Sequence, residues 1–214
     1  QYERQQVHRP FGDHGADQLV HGNFFIACQH RATGDLAHTG NGEIGQIADH
    51  HGRDHVQTIE GAFDKEGNIL AVRLTGLGNA GAYPIVPLPY TVNAVKNVVG
   101  VYKTPLLEVN TKGVYTNSTP VGAYRGAGRP EGNYYMERLL DRAAAEMGID
   151  KLELRRRNHI APSAMPYKAP SDMNYDSGDF TTLLDEAIRN SDWNGFAKRK
   201  EESRARGKVR GIGV

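Results

Sequence analysis

The alternation of apolar and polar positions first becomes regular past the middle of the first hundred residues. Asp54 to Phe63 reads as a strand, with Val56, Thr58, Glu60 and Ala62 sharing one face, and Asn68 to Thr75 reads as its partner. Asp64-Lys-Glu-Gly67 between them is a short turn with a glycine available for φ > 0, so the two runs predict a β-hairpin. Leu77 to Ala82 is rich in glycine and alanine, which permits close backbone packing, and Pro84, Pro87 and Pro89 mark residues 83–90 as a loop. The stretch 91–101 fits a helical turn or a strand equally well. Leu106 to Tyr115 reads as a further strand.

Beyond residue 129 the period changes to that of a helix. Tyr135, Leu139, Ala143 and Met147 fall on one face of a predicted helix over Pro130–Met147, with Leu140 and Ala144 beside them. Arg142 and Glu146 are spaced for an i,i+4 pair, and Gly148 is placed to end the helix. Asp150 is positioned to cap a short helix through Leu154 and Arg157. Prolines 162, 166 and 170 with Gly178 make residues 161–178 a junction loop. Asp179 then caps an amphipathic helix carrying Phe180, Leu183, Leu184, Ala187 and Ile188, and another helix is expected over about 192–206. Val209 to Val214 is expected to begin a strand. Strands followed by helices, without regular βαβ alternation, place the chain in the α+β class.

Between the strands and the helices lies Val121-Gly-Ala-Tyr-Arg-Gly-Ala-Gly-Arg-Pro-Glu131. Three glycines allow φ > 0 and close approach of the backbone to a ligand, and Arg125 and Arg129 present planar cationic forks. A loop of this kind feeding a helix N-terminus suits a phosphate or a developing oxyanion. Its spacing alone fits a tight loop on a helix cap equally well.

Composition narrows the choices. The 214 residues carry a net charge of +1, which gives no whole-molecule field toward nucleic acid or membrane. The single cysteine, Cys28, excludes an internal disulfide and an all-cysteine iron–sulfur or zinc site. No apolar run reaches the length of a membrane span and no signal-peptide pattern opens the sequence, so a cytoplasmic location is expected. Asp49-His-His-Gly-Arg-Asp-His55 has the residue types of a zinc site, but an extended chain puts only His51 and His55 on one face, which favours a polar strand entry and no metal site. The basic run Arg155–Arg157 reads first as a solvated face or a carbonyl-capping cluster. Lys198 to Arg210, with seven basic and two acidic residues and no aromatic, reads as a solvated helix face rather than a nucleic-acid patch.

The loop Ala123-Tyr-Arg-Gly-Ala-Gly-Arg129 with Pro130-Glu131 resembles the active-site loop of the molybdenum hydroxylases: xanthine dehydrogenase, aldehyde oxidase and the large subunit of aerobic carbon monoxide dehydrogenase. His51-Gly-Arg-Asp-His55, Asn79-Ala-Gly-Ala-Tyr83, Gly113-Val-Tyr-Thr-Asn117, Glu153-Leu-Arg-Arg-Arg-Asn158, Pro162-Ser-Ala-Met-Pro166 and Tyr175-Asp-Ser-Gly-Asp-Phe180 are similar to further segments of those subunits, in the expected order. The resemblance covers roughly residues 47–214. It implies a fragment of the molybdenum cofactor-binding large subunit, with residues 47–160 in the first cofactor-binding domain and 179–214 opening the second. Residues 1–46 depart from it: the glycine-rich cofactor loop and two core elements expected there are not recognisable, and eight of the nine histidines lie before residue 56. That stretch is expected to be either read out of frame or a divergent N-terminal arm.

For chemistry, the resemblance implies a molybdopterin cofactor, often the cytosine dinucleotide, whose molybdenum-bound hydroxide attacks an electron-poor carbon while hydride passes to the metal centre. Electrons then leave through an iron–sulfur small subunit and a flavin (FAD) medium subunit. Arg125 matches the arginine beside the substrate, and the backbone N–H groups of Gly126, Ala127 and Gly128 match the part of the loop that approaches the metal centre. Arg129 and Glu131 are assigned to loop stabilisation. Copper-containing carbon monoxide dehydrogenases carry cysteine where this chain has Gly126, so no thiolate is available for copper. The family's general-base glutamate lies far downstream and is not in this sequence. Two expectations follow: a piece of an oxidoreductase acting on an aldehyde, N-heterocycle or carbon monoxide-like substrate, or a non-catalytic truncated interaction module that binds no cofactor.

Overall fold

The computed structural model describes residues 24–33, 54–83, 89–123 and 125–214, with the backbone alone for residues 24–33 and 89–92. The expectations for residues 1–23 and 34–53, for the prolines at 84 and 87 and for Tyr124 lie outside the described residues.

A four-stranded sheet forms one layer, in the order β1 (Phe24–Thr33), β2 (Asp54–Phe63), β3 (Ile69–Gly81) and β4 (Leu107–Tyr115). β1, β2 and β3 pair antiparallel, whereas β4 lies parallel to β3. A parallel neighbour requires a crossover, and helix α1 (Pro89–Asn97) stands between β3 and β4 in the chain. The stretch whose pattern fitted either state is therefore mainly helix. β3 runs six residues past the predicted end at Thr75, because β4 supplies a second ladder that its glycine- and alanine-rich tail follows without crowding.

β1 corrects the reading of residues 1–46 as lacking a core element. It pairs with β2 over ten residues, from Phe24↔Phe63 to Thr33↔Asp54. Gln29, His30 and Arg31 interrupt its apolar positions, which hides the strand from a periodicity reading. The hairpin is as predicted, with Gly67 at φ 88° and its N–H donating to Asp64 O at 3.0 Å. On β2, His55, Gln57, Ile59, Gly61 and Phe63 point into the core, while Val56, Thr58, Glu60 and Ala62 form the outer face. There Glu60 and Arg73 pair directly across the two strands, Arg73 Nη2 donating to Glu60 Oε1 at 2.9 Å.

Helix α2 (Arg129–Met147) covers the inner face of the sheet. Its buried positions Tyr135, Leu139, Leu140, Ala143 and Ala144 match the predicted stripe and pack with Ile59, Phe63, Val72 and Leu74; Met136 joins them, while the predicted Met147 is only partly buried. Gly148 ends it at φ 66°. Asp150 caps α3 (Lys151–Asn158), its Oδ1 accepting from Leu152 N at 2.9 Å and Glu153 N at 3.0 Å.

Arg155 is no solvated residue. It is 1 % exposed and holds Glu137 at 2.8 Å and Asp141 at 3.0 Å, with a further bond to Lys151 O. Only Arg156 and Arg157 follow the expected pattern: Arg156 meets Asp185, and Arg157 bonds the Glu66 carbonyl of the hairpin turn. Arg155 escaped the sequence reading because its acidic partners lie on the preceding helix, at ordinary exposed-face positions.

After a single 3-10 turn and the two-residue strands β5 (Tyr167–Lys168) and β6 (Asn174–Tyr175), Asp179 caps α4 (Phe180–Asn190), accepting from Thr182 N at 3.0 Å. Helix α5 (Phe196–Ala205) follows another 3-10 turn. Residues 209–214 form no strand, contrary to expectation, since no described strand offers them a ladder partner. Among the described residues no helix is long and apolar enough to cross a membrane.

Candidate functional site

β3 and β4 are parallel, so their carboxyl ends open on the same side of the sheet. The glycine–arginine loop follows β4 from that side of the sheet. The chain after β4 is strapped back to the end of β3 by three backbone bonds. Thr116 N donates to Gly81 O at 3.1 Å, Ala82 N to Ser118 O at 3.0 Å, and Val121 N to Ala80 O at 3.4 Å. Gly81 has φ 74°, and a Cβ there would lie 2.5 Å from Thr119 O and Pro120 Cα, so the strap closes only over glycine.

The far end of the loop is pinned by Gly128. This residue precedes α2 at φ 84°, and a Cβ on it would stand 2.4 Å from Asn93 Cβ and 2.6 Å from Ala94 N. One turn on, a Cβ at Gly132 would meet Ala94 O at 2.8 Å. α2 therefore crosses α1 at backbone contact through two glycines four residues apart. Between these anchors, Arg129 N donates to Gly126 O at 2.8 Å and closes a tight turn. Gly126 has φ 90°, but the nearest atoms to a Cβ there are Pro130 Cδ and Cγ at 3.7 and 3.8 Å. Among the described residues the space beside Gly126 is open. Ala127 is half-buried, and Arg125 and Arg129 are exposed. No hydrogen bond or ion pair involves the Arg125 side chain among the described residues.

The two glycines among the backbone candidates thus differ. Gly126 combines positive φ with open space, which suits close approach of a ligand. Gly128 owes its lack of a side chain to α1, so only its backbone remains to face a ligand. Arg125, without a side-chain partner among the described residues, precedes the positive end of a 19-residue helix by four positions. Glu131, in the first turn of that helix, is buried on the same face as Tyr135.

Below the loop lies a polar cluster that local patterns do not reveal. Tyr135 Oη and His55 Nδ1 are 3.3 Å apart although 80 residues separate them in sequence, and both are buried. Burial first, and the charge of Glu131 second, push the Tyr135 phenol above its ordinary range, so it stays a protonated donor. Gln57 lies two residues along on the same inner face. His55 therefore serves the helix–sheet contact; residues 49–53 of the histidine-containing motif lie outside the described residues.

The comparisons with known proteins bear on this loop. The model for the molybdopterin cofactor-binding domain matches residues 41–159, more than half of the chain. The chain belongs to the molybdenum hydroxylase family. It is 34% identical over 170 residues to the 6-hydroxypseudooxynicotine dehydrogenase complex subunit gamma of Paenarthrobacter nicotinovorans, covering 77% of this chain and 21% of that protein. It is 33% identical over 172 residues to the carbon monoxide dehydrogenase large chain of Afipia carboxidovorans, covering 76% and 21%. The fold is similar to quinoline 2-oxidoreductase from Pseudomonas putida 86, with a TM-score of 0.68 and 30% identity over 75% of this chain and 21% of that one. The chain thus spans about a fifth of the length of these relatives. The expectation of an α+β piece of the cofactor-binding large subunit is borne out.

Proposed function

We propose that the complete gene product is the large subunit of a molybdopterin-dependent oxidoreductase, and that the loop 125–128 is its contribution to the cofactor and substrate edge. The observation that carries this reading is Arg125: an exposed guanidinium without a partner among the described residues, on a loop pinned at both ends, next to open space at Gly126. The cofactor is molybdopterin, in the cytosine dinucleotide form. The residues present fit such a group, since an anionic, bulky ligand needs a cation and a side-chain-free backbone in one place. When bound, the molybdenum centre supplies the two-electron oxidation chemistry. This chain's part is to bring the backbone of Gly126, Ala127 and Gly128 close to it and to hold Arg125 where negative charge develops on the substrate.

The relatives are named for different substrates, among them quinoline and carbon monoxide. Gly126 stands where a copper-binding thiolate would be needed, so we assign an aldehyde or N-heterocycle carbon as the substrate rather than carbon monoxide. Partners are an iron–sulfur small subunit and a flavin medium subunit in the cytoplasm.

The test is steady-state kinetics with a dye acceptor on the complete gene product and its Arg125→Lys variant. Losing one preorganised donor costs about 2.7–4 kcal/mol, roughly 10²–10³ in kcat, with KM changed far less. An unchanged kcat at intact molybdenum content removes Arg125 from the reaction. Absence of any molybdenum in the wild type would favour the non-catalytic module instead.

A further inference from the structure

Asn79 sits near the end of β3, and all four of its side-chain hydrogen-bonding positions are used. Its Nδ2 donates to Asp54 Oδ2 at 2.7 Å and to Ser118 Oγ at 2.9 Å. Its Oδ1 accepts from Gly81 N at 2.7 Å and from Thr116 Oγ1 at 2.8 Å. A carboxamide has two N–H donors and two acceptor lone pairs, so its capacity is filled by three separate pieces of chain: the start of β2, the end of β3 and the turn after β4. Thr116 Oγ1 and Ser118 Oγ are themselves 2.7 Å apart, which makes the cluster a closed ring rather than a set of single contacts.

The ladder is irregular at this point. The register between β3 and β4 shifts between Asn79 and Gly81, and the Asn79 side chain takes over where backbone pairing lapses. The segment it holds, 116–121, is the strap that leads into the glycine–arginine loop. Val121, the last residue bonded to β3, stands four positions before Arg125. Aspartate is isosteric with asparagine but would serve badly at 79. It would lose both donors and set a second carboxylate against Asp54.

We propose that Asn79, by bonding Asp54, Gly81, Thr116 and Ser118 at once, is a positioning residue that fixes the base of the Arg125 loop. The role in turnover rests on the reading of that loop as the substrate edge; the mechanical coupling does not. Asn79 touches neither substrate nor cofactor in this account and acts through the strap.

The experiment uses the complete gene product with three variants, Asn79→Asp, Asp54→Asn/Asn79→Asp and the turn control Lys65→Ala. It reads amide exchange by mass spectrometry together with kcat and KM. In Asn79→Asp, exchange over 116–128 rises about ten- to a hundredfold, the effect of losing about two net hydrogen bonds, while the hairpin turn 64–67 and α4 keep wild-type rates. In the same variant kcat falls about ten- to a hundredfold with KM within about threefold, as a misplaced reacting group requires. In the double variant the amide and carboxylate trade places, the 54–79 bond reforms with its donor reversed, and both readouts recover toward wild type. Lys65→Ala matches wild type throughout. If Asn79→Asp is insoluble, Thr116→Val is read by the same criteria. Unchanged exchange over 116–128, a rise spread equally over α4 and the hairpin turn, or a raised KM at constant kcat would each overturn the proposal. If the wild type holds no molybdopterin, the functional reading falls on that result, and the exchange data alone decide the coupling.

Discussion

Three glycines in and around the loop separate backbone strain from steric exclusion, and substituting each with alanine tests that separation. At Gly126 the φ of 90° is unfavourable for alanine, but its Cβ would meet nothing closer than 3.7 Å. The cost is conformational only, about 1–2 kcal/mol. At Gly132 the residue is helical and the Cβ would meet Ala94 O at 2.8 Å and Asn97 C at 3.0 Å. Overpacking there costs about 1–3 kcal/mol, offset by about 1 kcal/mol from alanine's better helix propensity. Gly128 incurs both penalties, with φ 84° and contacts of 2.4 and 2.6 Å to the α1 backbone and Asn93, which sums to about 2–5 kcal/mol. Urea unfolding should therefore rank the variants Gly128→Ala as most damaging, with the other two milder and m unchanged. Cofactor content should rank them differently: Gly126→Ala, milder than Gly128→Ala in stability, adds a methyl group beside the loop and lowers molybdenum loading. If Gly128→Ala is no more destabilising than Gly126→Ala, the backbone contact between α1 and α2 does not exist as described.

Other perturbations read separate parts of the fold. Arg155→Ala removes a fully buried guanidinium, while Glu137 and Asp141 keep 36 % of their side-chain surface exposed and can be rehydrated, so the loss of its hydrogen bonds should cost about 1–3 kcal/mol, measured by denaturant midpoint. His159 stacks on Tyr102 with its Nδ1 3.0 Å from Thr181 Oγ1. Burial first, then the charges of Arg155 and Arg156, hold it below its ordinary pKa of 6.5, against the weaker opposite pull of Asp185 and Asp179. A depressed folded-state value means that its contribution is complete above pH 6.5 and is lost as pH falls through the folded value. Stability measured from about pH 8 to about pH 5 should therefore decline more in the wild type than in His159→Gln, in which that titration is gone. Parallel curves for the two proteins would refute this.

What the sequence disclosed and what it hid follow from the range of the interactions. The hairpin, the α2 stripe and the caps at Asp150 and Asp179 are local, and each was legible because its partners lie within a few residues. β1 was not, since its side-chain pattern is broken and only β2, more than twenty residues on, makes it a strand. Arg155 read as one member of a basic run because its acidic partners are 14 and 18 residues away on another helix. At the site, Arg125 and the glycines were visible as residue types. That Gly128 serves α1 while Gly126 faces open space required the tertiary structure. Asn79 stood in a recognisable segment, but its partners Asp54, Thr116 and Ser118 are 25 to 39 positions distant.

The central claim is that this segment helps hold a molybdenum cofactor within a larger large subunit. The most direct test is elemental and pterin analysis of the purified complete gene product, expressed in a host that makes the cofactor. Alongside it run the 214-residue chain alone and an established molybdenum hydroxylase as loading control. The account predicts molybdenum and a pterin with releasable cytosine nucleotide in near-equal amounts with the complete protein, and neither on the isolated chain, which offers only one recognisable cofactor loop. Stoichiometric molybdenum on the isolated chain, or none on the complete protein while the control loads normally, would contradict it.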